Sequence, residues 1–411
     1  MMNIWLIDHY SVPVKYYPLA RQTNFAKNLI LQGHNVIIFA ASTVHNSDIN
    51  LIEDGKKYIE VMDGKVKYIL IHCHQYSGNG IRRIANMYEF AFKLEKICSN
   101  FKKPDAIIST SMTLFACKKG LQLGKKYGCK NIAQITDLWP ETIVAYQVAS
   151  KWNPIVLYMR QIEKWIYKNA DKIIFSMEGA FDYIQERGWE KVIPRNKVYF
   201  INNGVNLDEF NFNRDHYRII DADLSNESLF KVIYTGSIRK VNNVNKLLDV
   251  ALKIKNPNIR ILIWGDGDQK EDLLKRIKNE KIENVIFKGK TDKRNIPFIV
   301  SMADLNIVHN SSSPLYRFGI SFNKIFDYFA AGKPMLTDFE CKYNPMVSED
   351  AGIEVSSGDA EKIAEKIEEV ARLETNKYMD YCNNAKKAAK KYDFKNLTVL
   401  LLKIIQSDNT N

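Results

Sequence analysis

Short apolar runs alternate along nearly the whole chain with longer segments whose apolar positions recur at helical spacing. NIWLID leads into a helical pattern around ARQTNFAKNLILQG and then into NVIIFAA. DAIIST, a helix ending near KKYG, NIAQIT, an aromatic and basic helix from about Pro154 to Asn169, KIIFSM and KVYFIN complete a first series. A turn-rich segment, NNGVNLDEFNFN at 202–213, interrupts it. FKVIYTG, a helix through VNKLLDVALKI, IRILIWG, NVIFKG and LNIVH then form a second series, and YDFKNLTVLLLKIIQ closes the chain with helical spacing. Uniformly apolar strands alternating with helices are the pattern of parallel sheets covered by helices. Two successive doubly wound α/β domains, 1–201 and 202–392, are the economical reading, with a hinge near 202–212 and no sequence repeat relating the halves.

In open parallel sheets, ligands bind beyond the carboxyl ends of the strands. In the second half these ends are Thr235-Gly236-Ser237, Gly265-Asp266-Gly267, Phe287-Lys288-Gly289 and His309–Ser313. RFGISFNKIFDYFAAGKP, at 317–334, follows the last of them. Ile325, Phe326, Phe329 and Ala330 fall on one helical stripe, Ser321 or Asn323 can cap its start, and Gly332 and Pro334 stop it. With Lys324 added, this helix N-terminus suits a phosphate; a capped helix with a solvated lysine is the plain alternative. Asp327, one turn further, would repel a diphosphate but can accept hydrogen bonds from a ribose diol, or simply complement the helix dipole. Gly236 and Ser237, followed by Arg239 and Lys240, form a second phosphate candidate or a solvated loop. Gly265-Asp266-Gly267-Asp268 reads either as a carboxylate pair for a divalent metal or as a strand end followed by a helix that Asp268 caps.

The 411 residues have room for two domains, and the formal net charge of +12 calls for an anionic partner. Nucleic acid is disfavoured because no recognition helix or aromatic RNA platform is present; a phosphorylated ligand or an acidic membrane leaflet remains. MMNIWLIDHYSVPVKYY is a strand running into a polar loop, not a signal peptide, and no run is long and apolar enough to span a bilayer. The six cysteines lie far apart without metal or redox spacing, and HCH at 72–74 lies on the alternating run KYILIHCHQY, so no metal is expected. The expected location is the cytoplasm, with any membrane contact peripheral on its inner face.

In the first half, Asp8, His9, Tyr10 and Asp137 close strands, with Trp139 and Glu141 close behind. Lys15, Tyr16, Tyr17 and Arg21, and a helix carrying Trp152, Tyr158, Arg160, Lys164, Trp165 and Tyr167, mix aromatic and basic residues. Such a mixture suits an anionic membrane interface, or a core helix with one solvated face.

NNGVNLDEF, YTGSIRKVNNVNKLLDVA, IWGDGDQKEDL, NVIFKGK, IPFIVSMADLNIVH and GISFNKIFDYFAAGKPML, in that order and spacing, resemble the large retaining glycosyltransferase family 4. LILQGHNVIIFAA, KPDAIISTS, ITDLWPET and ADKIIFSMEGAFDYI extend the resemblance over nearly the whole chain, and DLWPET with SFNKIFDYFAAGKP is most similar to the WbuB-like subgroup of surface-polysaccharide enzymes. The resemblance implies the GT-B fold, two Rossmann-like domains facing a central cleft, with the terminal segment 393–411 joining the first. It implies transfer of a hexosyl or N-acetylhexosaminyl unit, with retention, from a nucleotide diphosphate donor, UDP by analogy with the subgroup. The acceptor implied is a glycan or polyprenyl diphosphate-linked saccharide of O-antigen or capsule synthesis. The resemblance further implies that the departing phosphate helps to deprotonate the acceptor, so that no metal or other cofactor is expected and the protein mainly positions and stabilises charge.

Combined with the strand ends, the resemblance makes Gly236, Ser237, Arg239, Lys240, Gly265, Gly267, Lys288, Ser321, Asn323, Lys324 and Asp327 the donor set. Asp137, His9 and Lys324 are the candidates for the reacting centre, and Tyr10, Lys15, Arg21, Trp139 and Glu141 for the acceptor. The chain also departs from the family. Gly319 and Asp327 stand where two glutamates are common, Ser237 and Asn242 where an arginine and a lysine are common, and DHYSVPVKYYPLARQTN lacks the family's glycine-rich loop. Diphosphate binding would then pass to Arg239 or Lys240, with Lys324. Two rivals stay open: a GT-B epimerase, which needs a second carboxylate where Gly319 stands, and a nucleotide-sugar-binding protein without turnover.

Overall fold

The computed structural model describes residues 1–16, 21–78 and 80–407; Tyr17 and the end of the 393–411 segment lie outside them. The chain divides into two compact units, Met1–Asn202 with Phe394–Asn411, and Asn203–Asp393.

The first unit is built on eight strands: β1 (Asn3–Ile7), β2 (Asn35–Ala41), β3 (Tyr58–Asp63), β4 (Val66–Ile71), β5 (Ala106–Thr110), β6 (Lys130–Ile135), β7 (Lys172–Phe175) and β8 (Val198–Phe200). Their order is β3-β4-β2-β1-β5-β6-β7-β8, and all pair in parallel except β3 with β4. The parallel strands are apolar runs because helices cover both faces: Trp5, Ile7, Phe39, Ile69 and Ile107 are buried against Phe90 and Leu94 of the helix Ile81–Cys98. Strand β3 has no such run. At the sheet edge it alternates half-buried and exposed residues, so its sequence carries no apolar run. His72 to His74 lie beyond the end of β4; His74 Nδ1 pairs with Glu89 Oε1 at 2.8 Å, and no cluster of metal ligands occurs among the described residues.

The second unit contains β9 (Phe230–Thr235), β10 (Ile259–Trp264), β11 (Val285–Gly289), β12 (Leu305–Val308), β13 (Met335–Thr337) and β14 (Gly352–Glu354), all parallel in the order β11-β10-β9-β12-β13-β14. This is the dinucleotide-fold strand order, and its direction reverses between β9 and β12, where such sheets bind ligands. Val232, Tyr234, Ile261, Ile263 and Ile307 form its core with Leu247 and Leu248 on one helix and Ile363 and Ile367 on another.

The segment 202–213 is not the run of turns expected. The Asn206 side chain accepts from Glu209 N–H at 3.2 Å and caps a helix, Leu207–His216, whose first turn carries Asp208 and Glu209 on the favourable end of the dipole. Only Phe210 of that helix is buried, so its apolar periodicity is nearly invisible. The last helix, Phe394–Gln406, belongs to the first unit. It packs on Arg21–Leu31, Phe394 meets Phe25 edge-on at 5.3 Å, and Lys172 Nζ donates to the Ile404 carbonyl at 2.6 Å near the helix end. No helix among the described residues is long and apolar enough to cross a membrane.

Candidate functional site

At the carboxyl end of β9 the backbone is packed with no room for side chains. A Cβ on Gly265 would fall 1.9 Å from the Gly236 carbonyl oxygen, and one on Gly267 would fall 2.2 Å from that of Ile238. These glycines let the ends of β9 and β10 close into one turn. Gly265→Ala should therefore destabilise the protein by about 1–3 kcal/mol and displace Gly236, to be read as a lower melting temperature with weakened nucleotide binding; an unchanged melting curve would show that the turn can yield.

The helix Asn323–Ala331 is latched to this turn. Tyr328 OH accepts from Thr235 N–H at 3.2 Å and pairs with Thr235 Oγ1 at 3.0 Å. One helical turn earlier on the same face, Lys324 places its ammonium 4.3 Å from the centre of the Tyr234 ring and 2.9 Å from where a Cβ on Gly236 would stand. Burial pulls the Lys324 pKa down to about 8, partly opposed by Asp338. Asp327, half-buried and without a hydrogen-bond partner among the described residues, is pushed up to about 6 by burial; Lys293 opposes that shift and Glu209 adds to it. Gly332 ends the helix in the left-handed region at φ 65°.

The start of the helix differs from expectation. Phe322 occupies the N-cap position and no side chain caps it. Ser321 Oγ instead accepts from Asn203 N–H at 3.0 Å, and the Asn323 and Asn203 amides bond each other, so both side chains are drawn to the segment that precedes the helix Leu207–His216. Asp268 likewise caps nothing: the helix Lys270–Glu280 follows Gln269, which makes no side-chain cap. Lys288 is held in ion pairs by Asp221 Oδ2 at 2.7 Å and by Asp223. Arg239 and Lys240 are exposed, and neither has a hydrogen-bonded or ion-paired side-chain partner among the described residues. His309 turns inward: Nε2 meets the Asn243 carbonyl at 2.7 Å and Nδ1 meets the buried Asp338 carboxylate. This contact anchors Asn243 at φ 48° and with it the turn carrying Arg239 and Lys240.

In the first unit the strand ends hold a different chemistry. Asp8 accepts from Tyr10 N–H at 3.1 Å, and burial pushes its pKa up to about 6 against hydrogen bonds from Tyr10, Thr110 and Gln22. His9 donates Nε2–H to Asn86 Oδ1 at 2.8 Å, and burial holds its pKa near 3. This candidate for the reacting centre is therefore neutral near pH 7. Tyr10 OH accepts from Arg83 Nε at 2.9 Å and its ring lies 4.5 Å from that of His45. Arg21 donates to the Ile201 and Asn202 carbonyls at 2.9 and 2.7 Å, and Glu141 holds Arg160 through two bonds of 2.7 and 3.0 Å. Both acceptor candidates are thus engaged by partners within the first unit. Asp137 and Lys15 are exposed and Trp139 is half-buried.

Residues 217–392 match the family model Glycosyl transferases group 1, and residues 22–209 match Glycosyltransferase Family 4. The probable glycosyltransferase WbjE of Pseudomonas aeruginosa is 19% identical over 297 residues, 71% of this chain and 72% of that one. The putative teichuronic acid biosynthesis glycosyltransferase TuaH of Bacillus subtilis is 25% identical over 211 residues, 50% of this chain and 49% of that one. In fold, the chain is similar to sucrose-phosphate synthase from Thermosynechococcus elongatus (TM-score 0.70, 15% identity, 98% of both chains). It is also similar to HepE of Anabaena in complex with UDP and glucose (TM-score 0.64, 16% identity, 99% of this chain and 100% of that one). This chain is a glycosyltransferase with the GT-B fold.

The transferase's departures from the family acquire physical reasons. Gly319 sits at φ 103° and ψ 172°, a region nearly confined to glycine, so a glutamate there would strain the backbone. Ser237 Oγ donates to Asn242 Oδ1 at 2.7 Å. The two positions where an arginine and a lysine are common thus brace the turn after β9 as a neutral pair, with Arg239, Lys240 and Lys324 as the cations near it.

Proposed function

We propose that the transferase moves a sugar from a UDP-sugar, with retention and without a metal, to a polyprenyl diphosphate-linked saccharide or related glycan of surface-polysaccharide synthesis. The observation that carries the reading is Lys324 against Gly236 with Asp327 one turn on, at the switch point between β9 and β12. A diphosphate on the Gly236 turn would meet the Lys324 ammonium, and Arg239 and Lys240 would close on it from the loop. Asp327 would receive the ribose hydroxyls. As the bond between the anomeric carbon and the diphosphate oxygen breaks, charge builds on that oxygen, and these cations stabilise it more than the ground state. The acceptor hydroxyl passes its proton to the departing phosphate on the same face of the sugar, so no protein base is required. Asp137 is the exposed carboxylate of the first unit assigned to orienting the acceptor. Membership in a WbuB-like subgroup is part of the same proposal.

The test is thermal stability against UDP, GDP, ADP and NAD. UDP at one hundred times its Kd should add about 2.7 kcal/mol, and the other three should add little at the same concentration. A shift with GDP or ADP alone would replace the uridine assignment; no shift with any of them would remove the donor site proposed.

A further inference from the structure

The helix Ile81–Cys98 turns Phe90, Leu94 and Ile97 into the core of the first unit, yet a second apolar stripe runs along its outer side. Ile81, Ile84, Tyr88 and Phe92 are spaced three or four residues apart and are 85%, 43%, 62% and 74% exposed. The helix Leu114–Tyr127 packs beside it and Pro154–Asn169 packs beside that one, so the three form one layer. Tyr88 meets Phe115 of the middle helix edge-on at 5.9 Å. Lys118 and Lys125 lie 5.3 and 5.6 Å from the Trp165 ring, and Trp152, Ile155 and Tyr158 are exposed on and just before the third helix. The three helices carry eleven lysines and arginines against three carboxylates. Glu163 is buried, Glu89 is paired with Lys93 and Glu95 with Lys119 and Lys126, and Arg160 is paired with Glu141 from outside the three helices, so the excess of positive charge rests on the remaining lysines and arginines.

We propose that this helical layer docks on an anionic bilayer surface, with the Ile81–Phe92 stripe at the boundary of head groups and acyl chains and the basic residues on the lipid phosphates. Charge selects the occupant. A second copy would bring two strongly basic faces together, and a soluble polyanion would leave the apolar stripe in water. Exposed tyrosine and tryptophan beside lysine and arginine are the composition of a membrane interface. The inference deepens the lipid-linked acceptor reading and rests on it only for its purpose. The docking helix also supplies Arg83 to Tyr10 and Asn86 to His9, so lipid bound along it would adjoin the carboxyl end of β1.

The experiment floats the whole protein with vesicles of phosphatidylglycerol and phosphatidylcholine, and with phosphatidylcholine alone, at ~0.1 M salt. Binding to the anionic vesicles should be at least roughly tenfold tighter than to the neutral ones and should weaken with added salt. The double variant Tyr88→Glu, Phe92→Glu should lose roughly tenfold or more of that binding while keeping its melting temperature and any UDP-induced shift. Absence of binding by the native protein, or equal binding by the variant, overturns the proposal. So does a concentration-dependent dimer in ultracentrifugation that the variant abolishes without any vesicle binding, since the face would then join two copies. The UDP shift is read separately, so failure of the docking face is distinguishable from failure of the donor site.

Discussion

Replacing Lys324 with methionine should lower kcat/KM for the sugar donor by roughly 10²- to 10³-fold without lowering the melting temperature near neutral pH. The ammonium has no carboxylate within ion-pair distance among the described residues; it lies over the Tyr234 ring beside Gly236. A lysine serving stability alone would gain from a partner, whereas this one is held where its charge is costly. Burial brings its pKa from the ordinary lysine value of 10.5 down to about 8, so between those values the folded protein binds fewer protons than the unfolded chain. Stability should therefore rise with pH across that window in the native protein, and this rise should vanish in the methionine variant. Donor binding needs the opposite state. In the free enzyme, kcat/KM should fall as pH rises through about 8, when the ammonium is lost. Opposed slopes for stability and activity, removed by one substitution, would identify the group. Full activity in the variant would leave the diphosphate charge to Arg239 and Lys240.

What could be read along the chain followed from burial. Strands β1, β5, β9 and β10 are buried almost throughout and stand out as apolar runs, so their polar carboxyl ends stand out as well. Edge strand β3, three-residue β13 and β14, and the capped helix Leu207–His216 lack such runs and escaped notice. Gly236, Gly265, Lys324 and Asp327 were visible as strand ends and a helix start. Their mutual packing was not, because Tyr328 reads simply as a residue near the apolar stripe while its hydroxyl holds Thr235. The same blindness hides which candidates the fold already engages. Lys288, Arg21 and Glu141 look like free polar groups until the fold brings up Asp221, the Ile201 and Asn202 carbonyls, and Arg160. A charged residue near a strand end is a ligand candidate only if the protein has not already satisfied it.

Asp327 meets that condition, and Asp327→Asn should weaken UDP binding about 10- to 100-fold, the loss expected when hydrogen bonds to a charged acceptor become bonds to a neutral one. The alternative, a carboxylate placed only to complement the helix dipole, predicts a lowered pKa. Burial instead raises it from 3.8 to about 6. The folded state then binds more protons than the unfolded chain between those values, so Asp327 lowers stability as pH rises from 3.8 through 6, and the asparagine variant should melt higher at pH 7 but not at pH 3.5. Nucleotide affinity should run the other way, falling as pH drops through about 6 and the carboxylate takes up its proton. The ribose contact has its own readout in 2′-deoxy-UDP, which the native protein should bind about tenfold more weakly than UDP and the variant almost equally. Equal affinity of native protein and variant for UDP would take the ribose away from Asp327 and leave the carboxylate without a ligand. A variant that binds UDP weakly but still discriminates against the deoxy form would place the ribose contact on another group and leave Asp327 a role in holding the helix start.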